Sequence, residues 1–206
     1  KTAREAIKVM TSLVETFGYY SEGETFTICD SNEAWIMEMM GQGPGSKKVV
    51  WVAVRIPDDA VCAHANQSRI RKFNQDDKQN VMFSKDCITY ARNMGWFNGK
   101  DKDFSFRDAY AKPDFSGRRF CETRVWSLFN HFIDMSPYLD YAIGKKPLEE
   151  CEEMPLWIVP NKKISVQDVE NLMRDHYEGT PFSLDNDLGE GIWQMPYRPT
   201  PLTFTV

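Results

Sequence analysis

Four side chains in the middle of the chain have the types and spacing from which chemistry could be built: His64, Asn66, Gln67 and Arg124. A fifth, Cys62, stands two residues before His64. On a strand, residues two apart share a face, so the Cys62 thiol and the His64 imidazole would point the same way. Their Cα atoms would lie roughly 6.8 Å apart, from about 3.4 Å of rise per residue. A nucleophile and its base need about 2.6–3.2 Å between heavy atoms, which parallel side chains meet poorly. A buried cysteine beside a hydrogen-bonded histidine is the ordinary alternative, and it is favoured over a self-contained Cys62–His64 hydrolase.

Asn66 and Gln67 follow directly. Amides at the end of a strand can donate to a developing oxyanion without carrying charge or titrating near neutral pH. A turn residue bonding its own backbone is the competing reading, and the pattern alone favours it. Arg124 belongs to Arg118-Arg119-Phe120-Cys121-Glu122-Thr123-Arg124-Val125-Trp126, a helical stretch that continues to Phe129 and Phe132. A guanidinium on a partly buried aromatic stripe needs a carboxylate or a ring face. Glu122 is not its obvious helical mate, because neighbours on a helix are three or four residues apart. A structural ion pair and a role in a site both stay open.

Other candidates fall away on spacing. Gly41-Gln42-Gly43-Pro44-Gly45-Ser46 lacks the glycine that a P-loop places directly before its lysine, and it does not match G-x-G-x-x-G, so a hairpin loop is expected. Arg69-Ile70-Arg71-Lys72 reads as a solvated face or a local anchor for a carboxylate. Glu149-Glu150-Cys151-Glu152-Glu153 reads as an exposed loop. Cys29, Cys62, Cys87, Cys121 and Cys151 are odd in number and contain no Cys-x-x-Cys pair, which does not suit a disulfide framework. His64, His131 and His176 lie far apart, so no zinc site is expected. The cysteines select no redox compartment, and the chain could be cytoplasmic or exported.

The elements that must position these residues are mixed. Of the 206 residues, 42% are apolar and 27% charged, enough for a globular core. A net charge of -5 argues against a nucleic-acid partner, and no apolar run approaches the eighteen or so residues of a membrane span. Thr2-Ala3-Arg4-Glu5 fits a capping box, and Ala3, Ala6, Ile7, Met10, Leu13, Val14 and Phe17 form a helical stripe that Gly18 stops. Strands are expected at 25–29, 34–39, 49–56, 60–65, 156–159 and, by alternation, 202–206. Helices are expected at 84–94, 105–110, 118–132 and, behind a second capping box at Ser165, 165–176. Strands first and helices later favour α+β over alternating α/β. A chain that opens on a helix cap and ends in a strand reads as a portion of a longer protein, here a single domain portion over 1–206.

Three stretches carry a family resemblance. Val54-Arg55-Ile56-Pro57-Asp58-Asp59-Ala60-Val61-Cys62-Ala63-His64-Ala65-Asn66-Gln67-Ser68-Arg69-Ile70 resembles the central signature of the dipeptidase A family of cysteine dipeptidases. Phe120-Cys121-Glu122-Thr123-Arg124-Val125-Trp126 agrees with it. So does Val159-Pro160-Asn161-Lys162-Lys163-Ile164-Ser165, continued by Arg174-Asp175-His176-Tyr177-Glu178-Gly179-Thr180-Pro181-Phe182. That family belongs with the N-terminal-nucleophile hydrolases and is related to penicillin V acylase and bile-salt hydrolase.

The resemblance implies a four-layer αββα sandwich, here incomplete, and hydrolysis of dipeptides by a cysteine at the mature N-terminus. Lys1 stands first in this chain and Cys29 is its first cysteine, so the nucleophile segment, and some C-terminal residues, are expected outside it. By the resemblance Asn66 is the side-chain oxyanion donor, and Arg124 orients the nucleophile's surroundings or a substrate carboxylate. His64 and Gln67 flank the site as substrate-binding support. His176 and Tyr177 lie in a matching stretch without an assigned role. No metal or organic cofactor is implied; the partners are dipeptide substrates and the remainder of the polypeptide. A portion missing sheet strands exposes edges, which makes a homo-oligomer an open outcome. The alternative to an enzyme is a non-catalytic peptide- or partner-binding module, recognised by binding without turnover.

Overall fold

The first turn closes as its sequence dictates: Thr2 Oγ1 accepts the Glu5 N–H at 3.2 Å, and the Glu5 carboxylate accepts the Thr2 N–H at 2.9 Å. The computed structural model describes residues 1–183 and resolves the chain into two units. The first unit comprises Lys1–Cys62 and Asn66–Pro113; the second comprises Ala63–Ala65 and the stretch from Asp114 onward.

In the first unit, helix α1 (Ala3–Phe17) ends at Gly18, whose φ of 87° a side chain would resist. The stripe fades along the helix: Ala3 and Ile7 are buried, whereas Leu13 and Phe17 are exposed. Strands β1 (Gly23–Cys29), β2 (Ala34–Gly41) and β3 (Val49–Ile56) match the expected positions. The turn between β1 and β2 is held by Asp30, which accepts from Asn32 N, Glu33 N and also Ala3 N at the head of α1. The glycine loop joins β2 to β3 as a hairpin, with Gly43 and Gly45 at φ 85° and 81°. Two further strands are short: β4 (Val61–Cys62) covers only part of the expected 60–65, and β5 (Val81–Phe83) was not foreseen.

The four-stranded sheet runs β1-β2-β3-β5 with every neighbouring pair antiparallel. Trp35, Met37 and Met39 of β2, with Val49, Trp51 and Ala53 of β3, pack with Ala3 and Ile7 of α1. Period-two alternation sends Ile36, Glu38, Val50, Val52 and Val54 to the other face, and they too are buried. The two central strands are thus covered on both sides. Helices α2 (Cys87–Asn93) and α3 (Phe106–Tyr110) complete the unit, α2 falling short of the expected 84–94.

The second unit is helical. The expected helix 118–132 is broken in type: Gly117–Glu122 has π-helical hydrogen bonding and only then does α4 (Thr123–Asn130) begin. Where the type changes, the Thr123 hydroxyl reaches the carbonyls of Arg119 at 2.7 Å and Arg118 at 3.1 Å, within the last turn of the π-helical segment. Helix α5 (Leu139–Ile143), the two-residue strand β6 (Trp157–Ile158) and helix α6 (Val166–Leu172) follow. The capping box at Ser165 forms, but the helix stops four residues short of 176. The expected strand 202–206 lies outside the described residues.

This mixture of helices with an antiparallel sheet is compatible with the α+β class. Among the described residues, no helix is long and apolar enough to cross a membrane.

Candidate functional site

Asn66 opens the second stretch of the first unit at φ 51°, in the left-handed region. Asparagine is one of the few residues with a Cβ that visits this region readily, because its short amide can bond locally. The Asn66 side chain is exposed. The backbone then turns inward, and Ser68, Arg69 and Ile70 are all buried.

What receives them is Glu38, in the middle of β2 and 0% exposed. Its Oε1 accepts the N–H of Arg69 at 2.5 Å and of Ile70 at 3.0 Å, and its Oε2 accepts the Ser68 hydroxyl. Burial pushes the Glu38 carboxyl above its ordinary pKa, against the pull of those three donors and of the Arg69 charge. On its other side the same segment is bound to the start of α3: Arg107 N donates to Ile70 O at 2.8 Å and Phe106 N to Arg71 O at 3.1 Å. Gln67 Nε2 donates to the carbonyl of Ala111 at 2.7 Å. The basic cluster is therefore not a solvated face at Arg69, which is 4% exposed. It anchors a carboxylate, and it does so largely through main-chain N–H groups.

In the second unit Arg124 is half-buried on α4. Its Nε donates to Phe120 O at 3.0 Å, one turn back, and one terminal nitrogen donates to Ala65 O at 3.3 Å. Arg124 is thus joined to the residue that follows His64, itself half-buried. Two of the hydrogen-bond partners of Arg124 are therefore main-chain carbonyls. Tyr177 lies nearby in electrostatic terms: burial pushes its phenol up to about 12, while Arg124 and Arg119 work the other way. Among the described residues its buried hydroxyl has no hydrogen-bond partner, and its backbone holds φ 68°. Asp175, two residues earlier, accepts from Ser127 Oγ at 2.5 Å and faces His131 Nε2 at 3.2 Å.

Two of the cysteines offer little to nucleophilic chemistry, Cys87 by burial and Cys62 by its place on β4. Cys87 is buried, and desolvation drives its thiol well above the ordinary range. β4 ends at Cys62, so the strand geometry that would give Cys62 and His64 one face does not extend to the histidine.

Asn66 and Gln67 belong to the first unit, His64 and Arg124 to the second. Sequence reasoning passed over Glu38. Its signal was present: a single carboxylate inside Ala34-Trp35-Ile36-Met37-Glu38-Met39-Met40 stands where an unpaired charge is costly.

The model of one family, peptidase family C69, matches residues 1–205. Among curated proteins, a "Probable dipeptidase" of Salmonella dublin is 31% identical over 202 residues, which are 97% of this chain and 42% of that protein. A "Dipeptidase" of Bifidobacterium longum is 29% identical over 209 residues, with 96% of this chain and 37% of that protein covered. "Dipeptidase A" of Lactobacillus helveticus is 25% identical over 198 residues, covering 96% of this chain and 38% of its own length. The chain spans about two fifths of the length of these relatives, in which the match takes 42%, 37% and 38%.

Proposed function

The chain belongs to peptidase family C69, and from that premise we propose that it is the central and C-terminal portion of a dipeptidase. The observation that carries this is the family match along 1–205, joined by relatives named as dipeptidases. The proposed architecture is the αββα sandwich of N-terminal-nucleophile hydrolases, to which the four-stranded antiparallel sheet under α1 would contribute one sheet and one helical layer. The proposed nucleophile is a cysteine of the intact protein.

In this reading the thiolate attacks the scissile carbonyl carbon of a dipeptide. The carbonyl oxygen becomes an oxyanion, and the exposed Asn66 amide donates to it. The carbon–nitrogen bond then breaks, the amine leaves with a proton, and water hydrolyses the thioester to free the acid and the thiol. A neutral amide suits the oxyanion because it brings no charge that the resting site must solvate. Arg124 contributes a guanidinium fixed by two carbonyls, suited to orienting a substrate carboxylate. His64 and Gln67 are the proposed substrate-binding residues, Gln67 with its amide nitrogen bound to Ala111 O.

The test is Asn66→Ala in the intact protein. Loss of one oxyanion donor typically lowers kcat by about a hundredfold to a thousandfold. Turnover should therefore fall far more than stability, read by dipeptide hydrolysis and thermal melting. Equal losses would remove Asn66 from the chemistry. Retained peptide binding with no turnover in the wild-type protein would instead identify a binding module.

A further inference from the structure

Glu38 has no part in the mechanism above, yet it is the most buried carboxylate in the first unit and its three acceptor contacts fall on three consecutive residues. Those residues, Ser68, Arg69 and Ile70, begin two positions after Asn66. We propose that Glu38 is a positioning residue: its carboxylate grips Ser68, Arg69 and Ile70 and so sets the backbone that presents the Asn66 amide. The proposal rests on the reading of Asn66 as the oxyanion donor.

The chemistry of the contacts supports the assignment. A carboxylate buried in an apolar strand is tolerated only when hydrogen bonds replace its water. Here two of those bonds come from main-chain N–H groups, so the bond fixes the course of the backbone as well as the side chain. Cross-strand neighbours of Glu38 are Thr25 on β1 and Val52 on β3, which put it at the centre of the sheet, where a strand has least freedom to shift. The opposite edge of the segment is bound by Arg107 N and by the Gln67–Ala111 contact. A segment held on two sides can keep Asn66 at φ 51°, a backbone region that isolated residues leave readily. An oxyanion donor needs this, since a misplacement of about 1 Å can cost a hundredfold in rate.

The experiment is a double-mutant cycle in the intact protein, with dipeptide hydrolysis as readout and circular dichroism and melting as controls for folding. Glu38→Asp draws the carboxylate back by about 1.5 Å, one carbon–carbon bond. It is expected to lower kcat at least about tenfold, with KM changed less than about threefold, since the effect falls on the transition state. Glu38→Gln should stay within about threefold of wild type, because its carbonyl oxygen keeps both main-chain donors and its amide can donate to Ser68 Oγ. In an Asn66→Ala background, Glu38→Asp should add less than about twofold, since residues acting through one another are not additive.

A folded Glu38→Asp protein with wild-type kcat overturns the proposal, and so does a penalty undiminished in the Asn66→Ala background. If Asn66→Ala itself leaves kcat unchanged, the reading of Asn66 fails and the proposal with it. If Asn66→Ala is costly while Glu38→Asp is silent, Glu38 alone is wrong. Should Glu38→Asp not fold, Ser68→Ala decides: a kcat loss of about threefold that vanishes in the Asn66→Ala background supports the grip, and wild-type kcat overturns it.

Discussion

The two units hold their candidate residues by opposite means. In the first, the side chain of interest is a small neutral amide, and the backbone beneath it is fixed by a carboxylate reaching out of the sheet. In the second, Arg124 is fixed through its own guanidinium, which reaches back to Phe120 O and across to Ala65 O. The contrast follows from donor number. An asparagine amide has two N–H donors, and in the proposed function at least one of them serves the oxyanion. A guanidinium has five in a rigid fork and can commit some of them to its own orientation.

The sharpest way to break this comparison is to separate the amide of Asn66 from its bend. Asn66→Gly removes the amide yet suits φ 51°, whereas Asn66→Ala removes it and also strains the backbone. Both variants of the intact protein should lose about a hundredfold to a thousandfold in kcat. A glycine variant with near wild-type turnover would mean that the bend alone matters.

Next in size is Arg124→Lys. The charge survives, but a single ammonium cannot reproduce the fork that joins two carbonyls. Turnover should fall on the order of tenfold, with the melting temperature nearly unchanged. An active lysine variant would show that charge is enough and that the second unit's way of holding its residue is incidental.

How much of this was legible in sequence differs by unit for the same physical reason. Local signals were read correctly: the Thr2–Glu5 and Ser165–Asp168 capping boxes, the first half of the α1 stripe, the Asp30 turn and the strands β1–β3. Each depends on residues within a few positions of one another. What failed depended on distant partners. β5 is three residues long and exists because it pairs with β3, which no local pattern announces. Within the helix expected from 118 onward, the buried Arg118 guanidinium donates to Gly144 O and Lys146 O, partners that lie 26 and 28 residues away. Asn66, His64, Gln67 and Arg124 were singled out from pattern and resemblance. The grip of Glu38 on 68–70 spans thirty residues of sequence, a separation that no local pattern announces.

Tyr177 sharpens the contrast from the side of stability. Among the described residues its buried hydroxyl has no hydrogen-bond partner, whereas the Glu38 carboxylate accepts three hydrogen bonds. Removing an unsatisfied buried hydroxyl relieves a desolvation cost of about 1 kcal/mol or more. Tyr177→Phe should therefore raise stability to urea by about 1 kcal/mol, with the backbone at φ 68° equally strained in both proteins. A loss of that size would reveal a partner for the hydroxyl in the intact protein.

The smallest effect distinguishes two carboxylates with similar donors and opposite surroundings. Glu38 and Asp168 each accept a serine hydroxyl and main-chain N–H, Asp168 from Ser165 at the head of α6. In the partly exposed Asp168 the Ser165 hydroxyl dominates, followed by the Ser165 N–H and Lys162, and the pKa falls well below the ordinary range. In Glu38 burial dominates and the pKa rises, although Ser68, the Arg69 and Ile70 N–H groups and the Arg69 charge oppose it. Linkage then gives opposite signs. Above the unfolded value of about 3.9 for an aspartate, the Asp168 contribution is fully present, and it is lost as pH falls through the lower folded value. Below the unfolded value of about 4.3 for a glutamate, the Glu38 contribution is fully present, and it is lost as pH rises through the higher folded value. Melting the intact protein beside Glu38→Gln and Asp168→Asn should show the two gaps moving in opposite directions with pH. Against Glu38→Gln, wild type should lose ground as pH rises above about 4.3; against Asp168→Asn, it should lose ground as pH falls below about 3.9. A Glu38 gap that moves like that of Asp168 would mean that the three donors outweigh burial, making the grip on 68–70 a stronger hold on a permanently ionised carboxylate.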